Sequence, residues 1–141
     1  MEKRFLSLDL GEKRVGVAVS DPLKIFAQGL DVLHIRGRSD LLNKLSKYFN
    51  IYDIQSVVIG NPLNKYGEES TATMKTKKTA ELIEHHFNTK VILWDERFST
   101  KEAEMALREL NAKKQKSKLD MISAQIILQS YLEWLRNERH D

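Results

Sequence analysis

Residues 5–21 read FLSLDLGEKRVGVAVSD, and this stretch decides the fold. Phe5, Leu6, Leu8 and Leu10 make a buried strand, and Val15, Val17 and Val19 alternate with smaller residues as a half-buried partner. Gly11-Glu12-Lys13 between the two suits a hairpin turn. One charge, Asp9, stands at the centre of the apolar first strand. Burying a lone carboxylate costs on the order of several kcal/mol unless it meets a cation, a metal or strong donors. For a single acid near a strand end, bonding to backbone N–H groups of the turn is the simpler explanation. The acids further along the chain tip the reading toward a metal or phosphate site.

Outward from this hairpin, a third strand runs from about Ala27 to His34. Leu41, Leu42, Leu45, Tyr48 and Phe49 then recur at helical spacing across Asp40 to Phe49. The apolar run SVVIG ends a fourth strand at Gly60, a polar loop covers 61–69, and a helix covers about Ser70 to Phe87. Lys90 to Trp94 reads as a buried strand, and Ser99-Thr100-Lys101-Glu102 as a capping box opening a helix with Ala103, Ala106, Leu107 and Leu110. A last helix spans about Lys118 to Arg136. Three strands followed by alternating helix and strand predict an α/β fold, antiparallel in its first part and parallel in its second. The chain of 141 residues has room for one sheet and its covering helices, so a single domain over 1–141 is expected.

Composition excludes several chemistries. With no cysteine there is no disulfide framework, thiolate zinc site or cysteine nucleophile, which fits a reducing compartment. No signal-like segment opens the chain and no apolar run is long enough to span a bilayer, so a cytoplasmic protein without a membrane partner is expected. His85 and His86 are adjacent on a helix, and His34 and His140 stand alone, so zinc-ligand spacing is missing and solvated surface histidines are expected. No P-loop, dinucleotide fingerprint or nucleophile elbow is present. The net charge of +3 is mild, but Lys75, Lys77 and Lys78 cluster, as do Lys113, Lys114, Lys116 and Lys118. Such runs are most often solvated faces; on one side of the molecule they would attract a phosphate backbone.

Two further acidic features accompany Asp9. Asp95 and Glu96 follow the strand ending at Trp94, and because adjacent strand residues face opposite ways, one of the two joins a given site. Asp120 falls in the first turn of the last helix, where an acid also suits the positive end of the helix dipole. Acids at the ends of two strands and one helix can converge at one sheet edge, where α/β folds place their sites. Carboxylates of this kind hold hard divalent cations that activate water toward a phosphodiester.

Four blocks, in order, resemble the YqgF family, also called RuvX or pre-16S rRNA nuclease: DLGEKRVGVAVSDP (9–22), VVIGNPLNKYGEES (57–70), WDERFST (94–100) and KLDMISAQIILQSYL (118–132). The resemblance implies an RNase H-like fold with a five-stranded mixed sheet, its first three strands antiparallel, flanked by helices. It implies Asp9, Glu96 and Asp120 as catalytic residues and ligands of Mg²⁺ or Mn²⁺. RuvC-type resolvases of the same fold place an acid at the end of strand four, where this chain has Gly60-Asn61-Pro62, and here the block containing Glu96 supplies it; Asp95 remains the alternative. The implied activity is metal-dependent hydrolysis of nucleic-acid phosphodiesters in maturation of the 5′ end of pre-16S rRNA, a step of ribosome biogenesis. Arg14, Asn61, Arg97, Lys113, Lys114 and Lys116 are the candidate substrate contacts.

Other readings stand beside this one. A Holliday junction resolvase acting on branched DNA as a two-fold homodimer is one, whereas a processing nuclease can be a monomer. A non-catalytic nucleic-acid-binding module is another, disfavoured because all three acids are present. A sugar-kinase or actin-like ATPase ranks last, because those proteins close two such halves around a nucleotide.

Overall fold

The structure, a computed structural model, describes residues 2–63, 66–96, 105, 109 and 119–139. Among these, the strands are β1 (Lys3–Leu10), β2 (Arg14–Ser20), β3 (Ala27–His34), β4 (Asp53–Asn61) and β5 (Lys90–Asp95). The helices are α1 (Arg38–Ile51), α2 (Thr71–Phe87) and α3 (Leu119–Arg139). The capping box at Ser99 and Ala103, Ala106, Leu107 and Leu110 of the helix it was expected to open lie outside the described residues, as do Arg97, Lys113, Lys114, Lys116 and Lys118, whereas Met105 and Glu109 are helical.

The hairpin closes through Gly11 N–H donating to the Arg14 carbonyl at 2.9 Å. β1, β2 and β3 form an antiparallel meander, and β4 and β5 add in parallel on the other side of β1, giving the order β3-β2-β1-β4-β5. β1 is thus the central strand, with an antiparallel neighbour on one side and a parallel one on the other. The parallel pairs need crossovers. α1 joins β3 to β4 and α2 joins β4 to β5, and both pack on the same sheet face.

That face is built from alternate residues. Leu6 and Leu8 of β1, Val15 and Val17 of β2, and Val57 and Ile59 of β4 meet Leu41, Leu45 and Tyr48 of α1 and Ala80 and Ile83 of α2. Leu42 and Phe49 also pack against this core, while Ile51 at the end of α1 stays exposed. On the opposite face, Phe5, Ala18, Val58 and Trp94 meet Ala124, Ile127, Leu128, Tyr131 and Leu132 of α3.

The expectation of a half-buried β2 needs correction: every residue from Val15 to Ser20 is buried. Its polar-looking side carries Gly16, Ala18 and Ser20, which are small because α3 lies directly on them. A Cβ on Gly16 would overlap the Asp120 carbonyl, and one on Gly29 of β3 would come within 2.8 Å of Met121 Cγ. Polar contacts then fix α3 along the sheet. Ser7 Oγ donates to the Ala124 carbonyl at 2.8 Å, and Ala27 N–H donates to Gln129 Oε1 at 2.9 Å. Gln125 Nε2 donates to the Ala27 carbonyl and Gln129 Nε2 to the Ile25 carbonyl. At the far side Trp94 Nε1 donates to Ser130 Oγ at 2.6 Å, and the Trp94 and Tyr131 rings meet edge to face at 5.3 Å. These bonds set which residue of α3 arrives at the end of β1.

Candidate active site

Asp9 projects from the α3 face near the end of β1, on the same side as Phe5 and Ser7. Its neighbours on both sides are glycines. Across the β1/β2 ladder it is paired with Gly16, and the β1/β4 register ends at Leu8 opposite Ile59, one residue short of Asp9 and Gly60. The Cβ-less ground beside Asp9 is filled from elsewhere. Over Gly16 lies the backbone of Asp120, in the first turn of α3, and over Gly60 lies the carboxylate of Glu96, whose Oε1 is 2.5 Å from where a Gly60 Cβ would sit.

The strand alternation separates Asp95 from Glu96. Leu93 packs with the α1/α2 core and Trp94 with the α3 core, so Asp95 falls on the former side and Glu96 on the latter. Glu96 is therefore the acid of this pair on the face that carries Asp9 and Asp120.

Burial and neighbouring charge raise two of these carboxyls. Burial, reinforced by the Asp120 charge, pushes the Asp9 carboxyl from its ordinary 3.8 up to about 6. Burial, then the charges of Asp9 and Asp95, pushes Glu96 from 4.5 up to about 7. Asp9 is the middle member, feeling Asp120 on one side and acting on Glu96 on the other. Asp120 is itself engaged: Arg14 Nε lies 3.3 Å from its Oδ2. Among the described residues no three acidic or histidine side chains are close enough together to hold one ion as they stand. The donor set is nevertheless one that suits a hard divalent cation, being made of carboxylate oxygens whose mutual repulsion a cation would relieve.

The other expected contacts are spread more widely. Arg14 is more than half exposed, with its guanidinium at the rim of the carboxylate group. Asn61, the last residue of β4, follows Gly60 and so falls on the opposite sheet face; its Oδ1 is buried without a hydrogen-bond partner among the described residues. Lys75 and Lys77 pair with Glu12 and Glu69 at the surface, so this cluster is partly neutralised. His85 and His86 are exposed in the last turn of α2, as their sequence suggested. At the same sheet edge, on the α1/α2 side, a cavity of about 510 Å³ opens between the first turns of those helices, with Leu10, Leu41 and Pro62 in its lining and Arg38 and the Lys75–Glu12 pair contributing charge. It lies behind the carboxylates, separated from them by the sheet.

Sequence reasoning missed Gly16 and Gly60 as parts of the site. The available signal was a glycine inside or at the end of an otherwise β-branched strand, which marks close approach of another group.

Comparison with known proteins agrees with this architecture. A solved complex of Thermus thermophilus RuvC with a Holliday junction substrate superposes with a TM-score of 0.67 at 11% identity, covering 96% of each chain. A Fowlpox virus resolvase bound to Holliday junction DNA superposes with a TM-score of 0.60 at 16% identity, covering 94% of this chain and 98% of that one. At such identities the likeness is one of fold. Closer in sequence is a protein of Dictyoglomus thermophilum named "Putative pre-16S rRNA nuclease", 44% identical over 92% of this chain and 95% of its own length. One of the same name from Caldicellulosiruptor saccharolyticus is 44% identical over 95% of this chain and 99% of its own. Since the family model described as RuvX, Holliday junction resolvase, matches residues 3–134, the chain belongs to the RuvX, or YqgF, family.

Proposed function

We propose that this protein is a nuclease that hydrolyses phosphodiester bonds of pre-16S rRNA at the 5′ side, with Asp9, Glu96 and Asp120 holding Mg²⁺ or Mn²⁺. The observation that carries the reading is the placement of Asp9 between two strand glycines, with Asp120 and Glu96 brought over those glycines from α3 and from the end of β5. Asp9 and Glu96 lie at one sheet edge with Asp120 on the other side of Asp9, and burial first, then neighbouring charge, raises the Asp9 and Glu96 carboxyls, a cost that no structural need of the fold explains. A divalent cation bound there would polarise the scissile phosphate and lower the pKa of the attacking water.

The chain's own groups have distinct parts. Asp9, fixed on the central strand, is the invariant centre of the arrangement, because β1 is held by ladders on both sides. Glu96 approaches from one side and Asp120 from the other. Arg14, exposed at the rim, can exchange its carboxylate partner for a phosphate oxygen of the substrate, which frees Asp120 to turn inward. Asn61, on the opposite sheet face with its Oδ1 buried, takes no direct part in holding the ion. Arg97, Lys113, Lys114 and Lys116 contact the substrate backbone and position it without reading sequence.

The names of the relatives support an rRNA substrate, whereas the family description supports branched DNA. The test is to incubate the protein and its Asp9→Asn variant with Mg²⁺ or Mn²⁺ and two labelled substrates, a precursor rRNA 5′ fragment and a four-way DNA junction. Cutting of the RNA alone, lost in the variant, is the expected result. Paired symmetric cuts in the junction would replace it with the resolvase reading, and no cutting of either by folded protein would move the reading to a binding module.

A further inference from the structure

The place beside Asp9 that β4 leaves empty is filled by a carboxylate from a different strand. Gly60 is buried, and a Cβ there would lie 2.5 Å from Glu96 Oε1 and 2.6 Å from the Cδ1 methyl of Ile127 on α3. Neither a carboxylate oxygen nor a methyl carbon approaches a Cβ so closely, so any side chain at this position must push both neighbours away. Ile127 ends in a methyl on a rotatable arm and can yield. Glu96 yields by turning its carboxylate away from this spot, since its backbone stays near β4 behind Trp94, whose ring bonds Ser130 and meets Tyr131 edge to face.

We propose that Gly60 is a positioning residue for Glu96: its missing side chain is the socket in which the Glu96 carboxylate sits beside Asp9, and a carboxylate carried by β4 itself could occupy that socket instead. This deepens the proposed nuclease site and rests on that reading for its metal. The geometry of the interchange follows from bond lengths. An Asp side chain puts its oxygens about 2.4 Å from its own Cβ, comparable to the 2.5 Å between the Gly60 Cβ position and Glu96 Oε1. A Gly60→Asp substitution in a chain lacking the Glu96 carboxylate therefore returns an oxygen to the same neighbourhood. Sequence position 60 and sequence position 96 are alternative origins for one ligand position.

A purely packing role for Gly60, making room for Ile127 alone, gives different results, and the variants separate the two. Ile127→Val removes the methyl that the new Cβ would meet, so it serves as the background. Mn²⁺ alone is the probe, its binding followed by the electron paramagnetic resonance signal of the free ion and its folding control by thermal unfolding. Ile127→Val is expected to bind Mn²⁺ as the unsubstituted protein does. Gly60→Ala in that background is expected to lose at least tenfold in Mn²⁺ affinity while unfolding within a few degrees of Ile127→Val. Glu96→Ala in the background loses affinity similarly, and adding Gly60→Asp to it recovers at least tenfold.

Unchanged Mn²⁺ affinity in Gly60→Ala/Ile127→Val would overturn the socket, and no recovery on adding Gly60→Asp would overturn the interchange. A crystal structure of Gly60→Ala/Ile127→Val provides the metal-independent check. A Glu96 carboxylate displaced from β4 supports the socket, and one still resting over position 60 overturns it. If the unsubstituted protein bound no Mn²⁺, the proposed metal site would fail, yet the crystal structure would still decide what Gly60 does.

Discussion

Replacing Asp9 by asparagine should make the metal-free protein more stable at neutral pH, and the size of the gain should depend on pH. The folded state raises the Asp9 carboxyl from 3.8 to about 6, chiefly by burial and then by the Asp120 charge. A carboxyl raised on folding is held protonated more readily in the native state than in the unfolded chain. Its stability contribution is therefore intact below the unfolded value of 3.8 and is lost as pH rises through about 6. A shift of this size is worth ~3 kcal/mol at about 1.4 kcal/mol per pKa unit. Because the site lies at an open sheet edge, solvent screening reduces the usable figure to ~1–2 kcal/mol. Urea unfolding in EDTA should thus find Asp9→Asn more stable than the unsubstituted protein by ~1–2 kcal/mol at pH 8, and nearly equal to it at pH 4. For a chain of this size that corresponds to a rise of roughly 3–6 °C in Tm at pH 8. Excess Mn²⁺ should reverse the order, because a ligand stabilises only the state that binds it. A variant less stable than its parent at pH 8, or a difference that is the same at pH 4 and pH 8, would refute the claim that repulsive burial of this carboxylate is sustained for function.

Other substitutions probe the frame around the site. Gly16→Ala places a Cβ on the Asp120 carbonyl and should destabilise the fold by ~2–3 kcal/mol in urea unfolding, since backbone rather than a flexible side chain must move. Ser7→Ala removes the bond to the Ala124 carbonyl inside the α3 interface and should cost ~1–2 kcal/mol by the same measurement. Arg14→Ala should change stability by less than ~1 kcal/mol, as expected of an exposed ion pair. In Mn²⁺ titrations without nucleic acid it should bind the ion at least as well as the parent, while its affinity for labelled RNA falls and loses part of its salt dependence. Activity assayed in Mg²⁺ should rise with pH through the range in which Asp9 and Glu96 lose protons, from about 6 to about 7 in the free protein, and Glu96→Gln should be inactive across that range.

Much of this was legible in the sequence because its signals are local. The alternation in residues 5–20, the helical spacing of Leu41, Leu45 and Tyr48, and the apolar run before Gly60 each depend only on neighbours a few positions away. The strand ends predicted from them fall within a few residues of those observed. The error at β2 has a tertiary cause. Gly16, Ala18 and Ser20 look like a solvent face by hydropathy, but they are small so that α3 can lie on them, and only the position of a helix a hundred residues later reveals it.

The sequence by itself determined the element types, the order that forces an antiparallel meander to be followed by parallel crossovers, and the identity of the acids available at the sheet edge. Those properties follow from period, turn chemistry and residue type, which a linear reading contains. The tertiary structure decided which acids meet. Strand alternation with Trp94 anchored on α3 turns Glu96 toward Asp9, and the Ser7, Gln125 and Gln129 bonds fix the slide of α3 that delivers Asp120. It also decided that Gly16 and Gly60 flank Asp9, since register across a β-ladder couples residues separated by seven positions in one case and fifty-one in the other, a relation set by hydrogen bonding between strands and by packing above them.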